Sequence, residues 1–385
     1  MEVLIVGGTG VISTAVVKEA IKQGIKVTCI NRGFNHGNST CEDVETLHFD
    51  VRNRQLAEKK LSGRSFDVVV DFICAKASDA EYSLSLFKKL CKQYVFISTD
   101  SVYKLREDGH YDENCDQPNS EWDYSYMKSE CEDVVKSICT ASELHYTIVR
   151  PSITYGNTRI PYGFMPPVGY HYSIVKRIIA GKPIPIWNNG SNIQTLIRVE
   201  DFAVGMVGLW GNPNAMDNDF NISGEWVSWS DVLDAIDSYL GKKSIRVNIP
   251  LSWILQKLPE RRGEFLIDRS VDHYVSNGKL KKVVPKFSVN CTLKDGVAKT
   301  IEYYESHNNI FGIDYRYDGL CDMIIQPFVE NKLSFVSYDR SSDKYNYFIG
   351  RYYDNRTVKI YLKFLSLTKR VINKIRRILG NAINK

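Results

Sequence analysis

Nowhere does this chain run to the roughly 18 uninterrupted apolar residues that a membrane-spanning helix needs, so no such helix is expected. Cysteine patterning is missing as well. The nine cysteines are scattered, odd in number and without any Cys-x-x-Cys, which argues against a disulfide framework and against a zinc site. No His/Asp/Glu cluster has metal spacing, so no metal is expected. The opening Met1-Glu-Val-Leu-Ile-Val-Gly lacks the basic region and small-residue cleavage site of a secretory leader; it reads as a buried strand, and a cytoplasmic protein is expected. Acid is absent from residues 356–385, which hold nine Lys/Arg. Subtracting these from the 50 Lys+Arg leaves 41 against 45 Asp+Glu, a net −4 for residues 1–355. A nucleic-acid footprint across that body is not expected.

What is present suits a large domain with a companion: 385 residues, 43% hydrophobic. Apolar runs at Val3–Val6, Lys26–Ile30, Thr46–Phe49, Asp67–Phe72, Tyr94–Ser98 and Tyr146–Arg150 read as strands. Helical patterns at Ile12–Gln23, Asp79–Lys92 and Tyr124–Ala141 fall between them. That rhythm predicts an α/β fold, a doubly wound parallel sheet covered on both faces, over residues 1–155. A strand and helix near 193–210 are expected to complete it. Residues 156–312 read as a smaller, partly interleaved substrate-binding lid, with helices near Tyr172–Ala180, Ser228–Leu240 and Leu293–Ser306. Residues 313–385 read as a helical extension.

Gly7-Gly8-Thr9-Gly10-Val11-Ile12-Ser13 directly follows the first strand and opens a helix. Glycines there let the backbone turn tightly and approach a pyrophosphate, which the free N–H groups and dipole of the helix start then hold. Gly7, Gly10, Val11 and Ile12 are the expected contacts, and Ser13 is small enough to stand for the third glycine. The second strand ends in Asn31-Arg32-Gly33, with no carboxylate for a ribose 2′-hydroxyl. Arg32 is suited to a 2′-phosphate, so NADP is favoured, with NAD left open. Asp50 is placed to meet the adenine edge.

Further along, Ser98-Thr99-Asp100-Ser101-Val102-Tyr103 puts hydroxyls at the end of the fifth strand. Tyr124 and Lys128 lie one helical turn apart. A phenol titrating near 10 is a poor base at neutrality, and a lysine cation beside an oxidised nicotinamide favours its phenolate. These residues resemble the extended short-chain dehydrogenase/reductase superfamily, the NAD-dependent epimerase/dehydratase group. So do Asp71-Phe72, Arg150-Pro151, Tyr155-Gly156 and Val199-Glu200-Asp201, and the likeness runs over about residues 1–312. It implies a Rossmann fold and hydride transfer on a sugar-like substrate, with a nucleotide sugar left open. It also implies that Tyr124 is the acid/base, Lys128 a ribose ligand, and Thr99 the partner of the reacting oxygen. Ser101 stands where the resemblance places the glutamate base of 4,6-dehydratases. Gln194 stands where sugar-nucleotide enzymes carry an arginine. The alternative in another class is a non-catalytic NADP-binding scaffold or regulator.

Beyond residue 355, Tyr361, Phe364, Leu365, Val371, Ile372, Ile375, Ile378 and Leu379 recur near helical spacing opposite a basic face. Peripheral contact with a membrane surface explains the basic side; packing on the body or in a homodimer stays open.

Overall fold

The computed structural model describes residues 1–33, 44–308, 311–336, 341–365 and 367–368. In chain order its first part runs β1 (Glu2–Val6), α1 (Val11–Lys22), β2 (Lys26–Asn31), β3 (Glu45–His48), α2 (Arg54–Leu61), β4 (Phe66–Asp71), α3 (Ala77–Phe87), β5 (Cys91–Ile97), β6 (His110–Tyr111), α4 (Asp123–Thr140) and β7 (His145–Pro151). There follow β8 (Ile153–Tyr155), α5 (Tyr172–Ile179), β9 (Ile184–Ile186), β10 (Ile193–Arg198), α6 (Val199–Gly208), β11 (Asn218–Ile222), β12 (Glu225–Ser228) and α7 (Trp229–Leu240). The last elements are β13 (Arg246–Asn248), α8 (Leu251–Lys257), α9 (Arg262–Glu264), β14 (Tyr274–Val275), α10 (Gly278–Val283), α11 (Leu293–Ser306), α12 (Tyr315–Ile325) and α13 (Ser341–Arg351).

Seven strands form one parallel sheet in the order β11-β7-β5-β4-β1-β2-β3. Val3–Val6 of β1 are all buried, as a strand covered on both faces requires. Val3 and Ile5 join Val16 and Val17 of α1 and Phe202 and Met206 of α6 in one core. Leu4 and Val6 meet Leu84 of α3 and Val135 of α4 in the other. The chain order reverses at β1 and β4, and in such sheets the ligand crevice opens there, beyond the carboxyl ends of the strands.

The sequence places the completing strand near 193–198, and here the structure differs. β10 pairs with β8 and β12 in a separate three-stranded sheet, and only its following helix, α6, returns to the first unit to pack beside α1. The completing strand is β11, at the sheet edge. Its Asn-Asp-Phe-Asn-Ile holds only two apolar residues, neither beside the other, a weaker signal than the adjacent Leu196-Ile197 of β10.

The second core is built from both sides of residue 312. Tyr162, Trp187, Trp229 and Phe265 share it with Tyr317, Cys321, Ile324 and Ile325 of α12, and Tyr353 packs against it. Arg177 and Lys182, both buried, bind Asp318 and Asp322 of α12 at 2.5–2.7 Å. Most of the basic helix expected at the end, residue 366 and residues 369–385, lies outside the described residues.

Candidate active site at the sheet switch point

The glycine turn is built as its sequence demands. Gly7 has φ +88°, and a side chain there would meet Ile73 Cγ2 at 2.6 Å, so glycine is required twice over. Ser13, 1% exposed, takes a hydrogen bond from Gly10 N at 2.8 Å and donates to the Gly7 carbonyl at 2.7 Å. The serine at the third-glycine position therefore pins the turn to the start of α1.

A cleft of about 370 Å³ opens over this turn, and its lining includes every expected dinucleotide contact of this end of the site: Gly7, Gly10, Val11, Ile12, Arg32 and Asp50. Two further polar residues of the lining bear on the fit. Arg52 lies at the Asp50 end of the cleft, its backbone N–H held by Asp50 Oδ1 at 3.1 Å. Asn31, 7% exposed, has both side-chain polar atoms buried without a hydrogen-bond partner among the described residues. Such an orphaned amide is costly in a folded core unless a ligand completes it. With the glycine cradle, it makes the cleft fit a dinucleotide.

The expected catalytic residues come together at the ends of β4 and β5. α4 carries Tyr124, Lys128 and Glu132 at i, i+4 and i+8, on one face. Lys128, 8% exposed, donates through Nζ to the carbonyls of Cys74 at 2.7 Å and Ile97 at 2.8 Å. Glu132, fully buried, takes hydrogen bonds from Ser98 Oγ at 2.6 Å and from Arg150 Nε and Nη2 at 2.9 and 2.6 Å. Thr99 caps the short turn Asp100–Val102, its hydroxyl 3.2 Å from Ser101 Oγ and 3.4 Å from Asp100 Oδ1. Ser125 ties α4 to the same turn through the Ser101 carbonyl.

The electrostatics differ from the simple expectation. Burial raises the Tyr124 phenol above its ordinary value although the residue as a whole is 40% exposed; the Thr99 hydroxyl pulls it back down, Asp100 raises it and Arg159 lowers it. The cation acting on the phenol is thus Arg159, from the loop after β8 and lining the cleft, while Lys128 is engaged by backbone carbonyls. Burial likewise lowers Lys128. Asp100 is pushed up to about 8, by burial first and by Asp268 second, with Arg269 opposing. A protonated Asp100 spares the phenol a charged neighbour.

Asp268 and Arg269 are the residues that sequence reasoning missed altogether. They end a π-helical turn, Phe265–Arg269, an irregularity often found at functional sites. The Arg269 carbonyl accepts from the indoles of Trp187 and Trp229, each at 2.8 Å. Gln194 donates to the carbonyls of Asp268 at 3.0 Å and Val271 at 2.8 Å. The glutamine at the expected arginine position is therefore a brace for this turn. No local motif announces an arrangement held by residues 40–82 positions away in the chain.

Among the described residues no group of His, Cys, Asp and Glu is placed to hold a metal, and no helix is long and apolar enough to cross a membrane.

Comparison with known proteins bears on this geometry. The UDP-glucuronic acid 4-epimerase of Bacillus cereus, solved with UDP-glucuronic acid and NAD, superposes with a TM-score of 0.64 at 18% identity, over 80% of this chain and 99% of that one. The dTDP-glucose 4,6-dehydratase of Bacillus anthracis, solved with NAD, gives 0.64 at 20% identity, over 80% and 97%. At these identities the likeness shows the fold. In sequence, the chloroplast stem-loop binding protein of 41 kDa b of Arabidopsis thaliana is 30% identical over 238 residues, 58% of this chain and 59% of that protein. A UDP-glucose 4-epimerase of Vibrio cholerae is 23% identical over 231 residues, 57% and 65%. The chain thus spans less than two thirds of the length of these curated relatives. Residues 3–223, from the first strand through β11, match the NAD dependent epimerase/dehydratase pattern, and the chain belongs to that family.

Proposed function

We propose that this chain is a cytoplasmic NADP-dependent oxidoreductase of the epimerase/dehydratase type, acting at a carbinol carbon of a nucleotide sugar. One observation carries the reading: the Tyr124 phenol meets the Thr99 hydroxyl at the strand ends, on the same helix face as a lysine fixed between β4 and β5, beside a glycine-floored cleft. When bound, the dinucleotide supplies a hydride acceptor and donor. Gly7, Gly10, Val11 and Ile12 hold its pyrophosphate, and Asp50 its adenine end. With its phenol ionised, the form Arg159 favours, Tyr124 takes the hydroxyl proton at its phenolic oxygen, with Thr99 donating to the reacting oxygen. Lys128 spends two of its three donors on carbonyls and offers the third to the ribose.

Arg32 and Arg52, with no acid in Asn31-Arg32-Gly33, favour the 2′-phosphate of NADP over the bare ribose of NAD. The nucleotide-sugar reading draws on the names of the relatives, which carry UDP-glucose, UDP-glucuronic acid and dTDP-glucose. Arg159 and Arg269 are the cations beside Tyr124 and Asp100 that an anionic substrate would meet. The absence of a glutamate at Ser101 favours an epimerase or reductase over a dehydratase.

The test is incubation with NADP or NAD and a panel of UDP- and dTDP-sugars, products being read by NMR. Conversion that disappears in Tyr124→Phe while the dinucleotide still binds supports the reading. A second reading, a nucleotide-binding scaffold, is favoured by the stem-loop-binding name of the Arabidopsis relative. Dinucleotide binding with no conversion of any sugar, or conversion indifferent to Tyr124→Phe, would establish it in place of the first.

A further inference from the structure

The end of the described chain presents an apolar surface that its own body does not cover. α12 and α13 are pressed together where Gly319 faces the Tyr347 carbonyl and Gly350 faces that of Arg316, leaving no room for a side chain. Tyr347 donates to Asp322 at 2.7 Å, inside the buried cluster with Arg177 and Lys182. Lys257 binds Asp354 at 2.6 Å, and Tyr353 donates to Glu260 at 2.8 Å. The chain is therefore tied to the second core up to Asp354.

Past that tie the helical residues 356–365 turn apolar side chains outward: Ile360 is 60% and Phe364 61% exposed, and Tyr361, Leu365 and Leu367 are exposed too. On α13, Tyr345 and Phe348 are exposed, as is Tyr352 just past its end, and the Tyr345 ring meets that of Tyr361 edge-on at 6.4 Å, joining the two faces into one. Such a concentration of exposed aromatic and aliphatic groups marks an interaction surface. Its charge identifies the partner. No Asp or Glu follows Asp354, and Arg356, Lys359 and Lys363 begin the run of nine cations that the sequence carries to Lys385.

A second copy brought to this face would set Arg356, Lys359 and Lys363 against their own counterparts. A nucleic acid would satisfy the cations and leave Ile360, Leu365 and Leu367 in water. A bilayer with anionic headgroups takes both: cations at the headgroups, apolar side chains at the acyl boundary. We propose that α13, residues 356–365 and Leu367 form a docking surface for an anionic membrane, lying along it. The proposal stands independently of the reaction assigned above.

The experiment uses the full chain with vesicles of phosphatidylcholine, alone or mixed with phosphatidylglycerol. Sedimentation with the anionic vesicles, weakened by salt, is expected. Phe364→Asp, and separately Lys359→Glu with Lys363→Glu, should each cut vesicle affinity by about tenfold or more. Because these side chains are exposed, the variants should keep the wild-type circular dichroism and NADP affinity, which shows that folding is unaffected. Three outcomes overturn the proposal. The first is no sedimentation with either vesicle. The second is sedimentation indifferent to Phe364→Asp. The third is a dimer, or a complex with an RNA hairpin, that Phe364→Asp abolishes while vesicles go unbound.

Discussion

The dinucleotide unit and the second unit place functional side chains by opposite means. In the first, Gly7, Asn31, Asp71 and Thr99 stand at or just past the ends of β1, β2, β4 and β5, so the parallel sheet itself delivers them to one edge. In the second, Asp268 and Arg269 reach the same edge through a π-helical turn that Trp187, Trp229 and Gln194 must hold. The first arrangement follows from topology. The second follows from packing between distant residues, and it is vulnerable where the first is not.

The comparison is broken most severely by Tyr124→Phe, which deletes only the oxygen proposed to transfer the proton. Turnover of a converting substrate should fall by about 10²-fold or more, while titration finds dinucleotide affinity near that of the unaltered protein. Next is Asp322→Ala, which strips one acid from the buried cluster and leaves Arg177 and Lys182 under-compensated. Urea unfolding should show a loss of about 3–5 kcal/mol. If the two units are separable in stability, that loss falls on the second transition and spares NADP binding.

Arg32→Ala sharpens the picture of the first unit. It should weaken NADP by roughly tenfold to a hundredfold and NAD hardly at all, since only NADP carries the 2′-phosphate. Equal losses in calorimetric titration would remove Arg32 from the phosphate.

Asp100 reports on the seam between units, because Asp268 helps to raise it to about 8. An acid raised in the folded state holds its proton where the unfolded chain, near 3.8, has lost it. The folded state then binds more protons, and stability falls as pH rises from about 4 to 8, by at most about 1.4 kcal/mol per unit. Asp100→Asn should flatten that slope in denaturation curves taken across the range. The smallest effect is expected at Asn53, whose side chain accepts from Leu56 N at 3.3 Å to start α2. Asn53→Ala should lower the melting temperature through a loss of about 1 kcal/mol.

What the sequence made legible follows the same division. The apolar runs of β1, β4 and β5, the glycine turn, Thr99 and the Tyr124/Lys128 spacing are local signals, and the expected residues do converge. α2 was missed because its eight residues bury only Ala57 and Leu61, although Asn53 was an available cap signal. The extension was expected to be helical, as α12 is; its place in the second core was not legible, because it depends on Arg177 and Lys182, more than 130 residues earlier. Arg159 was passed over in favour of Lys128, because spacing along a helix says which side chains share a face and nothing about which carbonyls take up their donors.

The stacking of Tyr124, Lys128 and Glu132 on α4 has a consequence for how such a protein can diverge. Lys128 is fixed by carbonyls after β4 and at the end of β5, and Glu132 by Ser98 and Arg150. All of these lie in the first unit, so the helix that presents the phenol keeps its position whatever the second unit becomes. Grafting the second unit of a relative onto this sheet would exchange what is recognised and leave the reacting group where it stands.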